Sequence, residues 1–455
     1  MTRKALLVGV LAIGLGVTPA MAQRGGEQPL PGLQGSSNIK LLSHIPMGGP
    51  FYSNDVEVEQ ELSRPYVYVS GRSHYGFKLV NIKDPAKAFE MYRWTIENDN
   101  LHTGRATAPA YLKTNGRYYY AQAFQFQQGG PDADLGAVIF DVTGLPDTSK
   151  IKEAVRLRAP DAPGGFHEIF AYKHSSGAAL LLTTGGNPGA RIYDIGKATT
   201  GDKGMGFIGR IPNPTTTEGA AAGYHDFYAG YDPVTKADRF FGAGSGGYYV
   251  YDITNLLDPK LLVSATGISG LSRGHTFTPT PDGRYAVLES EYQYAPLRII
   301  DLKPGFDGTV KNISRPIGAW TNRWQGLPHN HEVRWPYVFV STYEDGMSVF
   351  NMMDPTNPYT VGYYDTYDGP VMLNKDKPFD VPTPGQGSVA NGADGIDVRN
   401  ADGLIVIGDL YTGLWLFKME GFDGWNGHQW GMPNQSSAQD WDNGPDGAPK
   451  PQKVS

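Results

Sequence analysis

A six-residue phrase recurs seven times along the chain, and that recurrence limits the possible folds more than any other feature. It reads FKLVNI at Phe77 to Ile82, AVIFDV at Ala137 to Val142, ARIYDI at Ala190 to Ile195, YYVYDI at Tyr248 to Ile253, LRIIDL at Leu297 to Leu302, MSVFNM at Met347 to Met352 and LWLFKM at Leu414 to Met419. Each is a short β-rich run, and most precede a turn containing Pro or Gly. A second apolar run lies upstream, as at Tyr66 to Val69, Tyr118 to Tyr120, Ala178 to Leu182, Tyr285 to Leu288, Tyr337 to Val340 and Leu404 to Ile407. Upstream of that comes a first strand. A fourth follows the phrase at Phe89 to Ile96, Ile151 to Leu157, Gly206 to Ile211, Lys260 to Thr266, Val310 to Ile317 and Tyr359 to Tyr364. Four strands per unit at a period of roughly 40 to 60 residues predict a β-propeller, because an open sheet this large would curl or split. The expectation is an all-β, seven-bladed β-propeller of four-stranded blades over residues 38–420.

The seventh unit lacks its fourth strand. After Met419 the chain enters a tail rich in Gly, Asn, Asp and Pro, residues 421–455, expected to be partly flexible, with Trp425, Trp430 and Trp441 available to pack on the propeller. Asn38 to Ile45 stands immediately before the first unit, and pairing it onto the last blade closes the ring without leaving an open edge. The composition agrees: 59 Gly, 34 Pro, 12% aromatic and only 19% charged residues suit short strands and tight turns.

Residues 1–22 run from Arg3 and Lys4 through an apolar stretch, Ala5 to Val17, to Ala20-Met21-Ala22. That order predicts a secretory signal cleaved near Ala22, a linker over 23–37, and a periplasmic or secreted protein. No later segment approaches the ~20 apolar residues of a membrane span, so no membrane anchor is expected. The absence of cysteine removes disulfides and thiolate chemistry. A net charge of −7 with no Lys/Arg cluster argues against nucleic-acid binding. Walker, Gly-x-Ser-x-Gly and His-Glu-x-x-His motifs are absent.

The phrases LVNIKDP, YYVYDITNLLDP, LRIIDL and MSVFNMMDPTNP resemble the strand words of the LVIVD-repeat proteins, exported propellers named for that motif. The resemblance covers about residues 38 to 419. It implies the fold and export, and no particular reaction, since most such proteins have no assigned one.

Aligning the units on the phrase brings one position of the first strand into register: Asn54, Ala108, His167, His225, His275, His331 and Asp394. Four of the ten histidines thus fall at one place in four successive blades, at the mouth of the central channel. Neutral imidazole is the commonest transition-metal ligand, so His167, His225, His275 and His331 are predicted to hold one ion, Fe(II) or Cu ahead of Zn, without an organic cofactor. A histidine at a strand start can instead bond an unpaired backbone group of the next blade. Glu168, Asp226, Glu332 and Asp394 are expected behind the ligands, accepting imidazole N–H groups.

Tyr224 to Phe227 also resembles the His-Asp-Phe word of the carotenoid cleavage oxygenases, which hold Fe(II) on four propeller histidines. The selenium-binding methanethiol oxidases likewise use propeller histidines, but their cysteine motifs are missing here. Both are analogies of site, not of chain.

The loops between second and third strands emerge on the same face. They carry Phe124, Phe126, Tyr292, Tyr294, Tyr343 and Tyr411 with Arg72, Glu291, Glu344 and Asp409, an expected aromatic wall, in which Tyr343 and Glu291 join His329 as acid–base candidates. His102 and Arg105 flank the ring position at Ala108, where substrate could enter, and residues 369–391 have the length of a lid. The expected function is a metal-dependent enzyme, an oxidoreductase, acting on a small organic molecule at the channel mouth. The alternatives are a noncatalytic propeller that binds a protein or glycan partner on its loop-rich face, and a metal-free lyase.

Overall fold

The computed structural model describes residues 34–48, 51–73, 75–159, 161, 163–185, 189–216, 223–324, 326–367, 392–434, 437 and 440–442. The predicted signal peptide, most of the linker, the lid segment 369–391 and the end of the tail lie outside the described residues.

Seven four-stranded antiparallel sheets form the molecule, each paired in sequence order except the last. The innermost strands, in blade order, are Ser53–Val58, Gly104–Thr114, Ile169–Lys173, Tyr224–Asp232, Phe277–Pro279, His331–Arg334 and Ala393–Val398. Ile39–Ile45 pairs with Gly413–Met419, Ile39 opposite Met419 and Ile45 opposite Leu414, so the N-terminal strand completes the seventh blade as expected. Its Ile39 packs in one apolar cluster with Phe417, Val349 and Ile396.

Burial follows position within each blade. Ala393–Val398 is buried at every residue because a neighbouring blade covers each face, whereas the outermost Phe89–Thr95 is exposed or half-exposed throughout. The repeated phrase supplies the side chains between blades. Tyr68 of the first blade stacks on Tyr120 of the second at 4.0 Å, and Phe77 meets Phe140 at 5.0 Å. Each large apolar side chain buried this way contributes about 1.5–3 kcal/mol, enough in aggregate to hold a fold without disulfides.

One predicted strand is corrected. The outer strand of blade five is Gly318–Trp320, paired with Leu297 to Ile299, and not residues 310–317. Pro316 has no N–H to give a ladder. The stretch before it runs along blade four instead, where Ser264 N–H donates to Lys311 O at 3.0 Å and Ile313 N–H to Ser264 O at 2.8 Å. It thereby covers an otherwise open sheet edge.

A second local feature governs the channel. The inner strands of blades one, two, four and seven each slip register near the aligned ring position, between Ser53 and Val56, Ala106 and Pro109, Tyr224 and Asp226, and Ala393 and Gly395. In blade five the N–H groups of His275 and Thr276 both reach Glu289 O, at 2.9 and 3.3 Å. An extra residue of this kind breaks the alternation of side chains along a strand and re-aims them.

The tail is partly docked. Trp425 and Trp441 are buried, and Trp425 donates its indole N–H to Trp335 O at 3.1 Å, whereas Trp430 is exposed. No helix among the described residues is long and apolar enough to cross a membrane.

Candidate metal centre

At the ring position the imidazoles form an arc rather than a symmetric ring. His167 meets His225 with centroids 4.4 Å apart, His225 meets His275 at 4.0 Å, and His275 meets His329 at 4.7 Å. The fourth member is therefore His329 and not His331. Blade six begins in regular pairing, His331 opposite Val340, with no extra residue to swing His331 into the arc, so the histidine two residues earlier reaches it from the loop. His331 lines the cavity beneath.

Ligand atoms of His225, His275 and Glu291 lie within 4.8 Å of one another. His167 Nε2 is 2.9 Å from His225 Nε2. Arg105 can only donate to His167 Nδ1, so the proton of a neutral His167 sits on Nε2 and is donated to His225 Nε2.

Protonation suits coordination. Burial, then the charges of Arg105 and His275, push His167 well below the usual imidazole range, and burial with His275 and His167 does the same to His225. Burial also lowers His275, against the pull of Glu291. These imidazoles are neutral and keep lone pairs. Burial alone would raise Glu291, but His275, His329 and the Tyr343 hydroxyl outweigh it and hold the carboxyl below its ordinary value. Tyr343 donates that hydroxyl to Glu291 Oε1 at 3.0 Å. Neutral imidazoles beside an ionised carboxylate are the state a transition metal binds.

Tautomers are fixed from behind. His329 Nδ1 lies 2.7 Å from Asp394 O, an atom that only accepts, so Nδ1 carries the proton and Nε2 is free. Asp394 was expected behind the ligands, and it acts there through its backbone. His275 Nδ1 lies 2.6 Å from Glu289 Oε2 and 2.9 Å from Thr276 Oγ1, while its Nε2, 3.5 Å from Glu291, has no hydrogen-bond partner. Thr276 Oγ1 is the hydrogen-bond partner of Nδ1 and the Glu289 carboxyl stands close behind it, so the ring is held with Nε2 turned toward Glu291.

The other three carboxylates expected in that role stand elsewhere. Glu168 comes no closer to His167 than 3.7 Å, Glu332 pairs with Arg334 at 2.7 Å, and Asp226 accepts from Phe227 N–H at 2.6 Å. All three line the cavity below; in blade four the slipped register points Asp226 there, whereas Glu332 reaches it from a regularly paired strand. Glu289 went unnoticed in the sequence. Its signal is the word Glu289-Ser-Glu291 at the end of a second strand, where the equivalent words in blades one and six are Ser70-Gly71-Arg72 and Ser341-Thr342-Tyr343.

Glu291 and Tyr343 thus occupy equivalent positions, and both have left-handed backbones, with φ of 51° and 36°. Non-glycine residues held this way cost of order 1–3 kcal/mol and cluster at functional sites. The rest of the expected aromatic wall has other work. Phe124 and Phe126 belong to the core between blades one and two, Asp409 and Glu344 are buried away from the arc, and Tyr411 packs edge-on against Tyr52.

Three guanidinium groups surround the arc. Arg105 donates to His167 Nδ1 at 3.3 Å and to Gln125 at 3.0 Å, and the charge of Arg72 acts on Arg105 and Tyr343. Arg273 acts on His167 and His225. No carboxylate among the described residues forms an ion pair with Arg72, Arg105 or Arg273. His102 bonds Asn98 O and Asp132, a structural role beside the arc.

A scan against protein-family models finds no match, and a search of curated proteins finds none.

Proposed function

We propose that this protein is an exported metal-dependent enzyme, an oxidoreductase, acting on a small anionic organic molecule at the mouth of the propeller channel. The observation that carries the reading is the convergence of neutral His225 and His275 with ionised Glu291, the free Nε2 of His275 being backed by Glu289. His329 stands next to these ligands and extends the donor set, while His167 holds His225 in place through their hydrogen bond. A bound Fe, Cu or Zn ion would supply Lewis acidity and, for the first two, electron transfer. The chain's own residues do the rest. Arg72 and Arg273, which form no ion pair with a carboxylate among the described residues, attract and orient a carboxylate or phenolate together with Arg105, and Tyr343 donates its hydroxyl proton to Glu291 Oε1. The resemblance to LVIVD-repeat proteins supports export and is silent on the reaction.

The test is metal analysis of protein purified without an affinity tag. About one transition-metal ion per chain is expected after reconstitution, and a His225→Ala, His275→Ala variant should lose it. Metal in a small minority of chains, with wild type stabilised by metal no more than the double variant, sinks the reading. The Tyr343–Glu291 pair beside His329 also favours a second reading, a metal-free lyase with these groups as base and acid. Full turnover after complete chelation would select it.

A further inference from the structure

Beneath the histidine arc the channel widens into a cavity of about 110 Å³. Its wall carries six carboxylates, Asp55, Glu57, Glu168, Asp226, Glu332 and Asp397, drawn from five blades. Four of these residues, Asp55, Glu168, Asp226 and Glu332, directly follow aligned ring positions, so the strand starts that gather imidazoles above gather acids below.

Their compensation is incomplete. Backbone N–H groups of Val56, Tyr111, Phe227 and Val58 donate to Asp55, Glu57, Asp226 and Asp397, and Arg334 pairs with Glu332. Arg334 is the one cation bonded to the cluster among the described residues. Burial followed by repulsion from Asp397 pushes the Glu57 carboxyl well above its ordinary value. Such a group of acids must take up either protons or a cation.

A separate feature points to the cation. His331 lines this cavity, is 3% exposed, and has no hydrogen-bond partner on either ring nitrogen. A buried imidazole with both nitrogens unmatched is costly unless something in the cavity bonds it. The hydrated shell of an ion offers both a donor and an acceptor.

We infer that the cavity is a second metal site, selective for a hard divalent cation, and that calcium occupies it through carboxylate oxygens, the hydroxyls of Thr276 and Thr278, and water bonded to His331. Calcium takes six to eight flexible oxygen ligands, which suits donors spread over five blades, whereas magnesium demands a tighter octahedron. The volume holds an ion with a few waters, each occupying about 30 Å³. Ser437, bonded to Arg334 at 2.9 Å, also lines the cavity, so the docked tail covers the end away from the histidines. The ion would tie the inner strands of opposite blades together. This inference does not depend on the histidine centre.

The experiment uses the full chain with His225→Ala and Glu291→Gln, which disables the upper centre, after dialysis against chelator. Titration calorimetry with calcium chloride should show one ion per chain, and a hundredfold excess over the dissociation constant should raise Tm by about 3 °C. Adding Glu57→Gln and Asp397→Asn should weaken binding at least tenfold without lowering the Tm of the calcium-free protein, since the amides remove repulsion. Glu168→Gln, whose carboxylate accepts no backbone hydrogen bond, checks the site with the least disturbance to the fold and should weaken binding several-fold. Absence of heat and of any Tm change at millimolar calcium overturns the inference. So does binding that survives all three carboxylate replacements.

Discussion

Glu289→Gln isolates the group that sequence reasoning missed. The substitution keeps the shape of the side chain but removes a carboxyl 2.6 Å behind His275 Nδ1, whose proton burial and Glu291 favour in the metal-free protein and whose ionisation a bound cation would favour. Carboxylates in this position are worth about 10–100-fold in metal affinity, or about 1.4–2.7 kcal/mol. The metal-free fold should tolerate the change: burial and the charge of Glu291 already push the Glu289 carboxyl well above its usual value, and an amide oxygen can still accept the Glu291 N–H. With metal at a hundredfold excess over the wild-type dissociation constant, binding stabilises wild type by about 2.7 kcal/mol. For the variant this falls to about 1.4 kcal/mol at a tenfold loss, or about 0.4 kcal/mol at a hundredfold loss. At about 1.2 °C per kcal/mol for a folded domain of roughly 400 residues, the metal-induced rise in Tm should shrink from about 3 °C to about 0.5–1.7 °C. Chelator competition gives the affinity directly, and melts with and without metal give the stability. If Glu289→Gln binds metal as tightly as wild type while Glu168→Gln does not, the assignment of roles behind His275 is refuted.

Other perturbations reach different parts of the molecule. The cavity carboxyls are raised, Glu332 to about 7, so the folded chain holds their protons more tightly than the unfolded chain does. Their stabilising effect is complete below about pH 4 and is lost as pH rises through about 7; melts of chelated protein should show a lower Tm at pH 8 than at pH 5, with calcium closing the gap. Phe417→Ala removes a fully buried ring 4.8 Å from Tyr364 in the closing blade and should cost about 3–5 kcal/mol in urea unfolding. A stop codon at Asn434 deletes buried Trp441 and the Ser437 and Asp442 contacts to Arg334 and Lys113, and should lower Tm by several degrees. An unchanged Tm would mean that the tail does not cover the channel in solution.

The repeat made the blades legible. Seven phrases with apolar neighbours leave few alternatives, and even the shared seventh blade could be read from a strand missing at one end and spare at the other. Where an outer strand was misplaced, the cause was local: residues 310–317 are apolar enough to look like a strand, but Pro316 and the edge of blade four decide where they lie. The site was only half legible. Alignment put His167, His225 and His275 at one level correctly, because these three meet in space. It mistook His331 for His329 because equivalence along a strand assumes an equal register at every ring position, and blade six has no extra residue where blade four does. The same assumption of strict alternation moved Glu168, Asp226 and Glu332 behind the imidazoles instead of beneath them.

Ring closure by Ile39–Ile45 has a kinetic consequence. Ile39 and Met419, direct partners, are nearly the whole chain apart, so the contact that seals the propeller is the most non-local one in it. The N-terminal strand is synthesised early, yet its partner emerges last, and until they pair both Ile39–Ile45 and the outer side of Gly413–Met419 present bare backbone edges. Closure is therefore expected to be a late folding event. The interval before closure is when a chaperone has most to protect and when two molecules can exchange their first strands, the more so if the chain is exported unfolded as proposed.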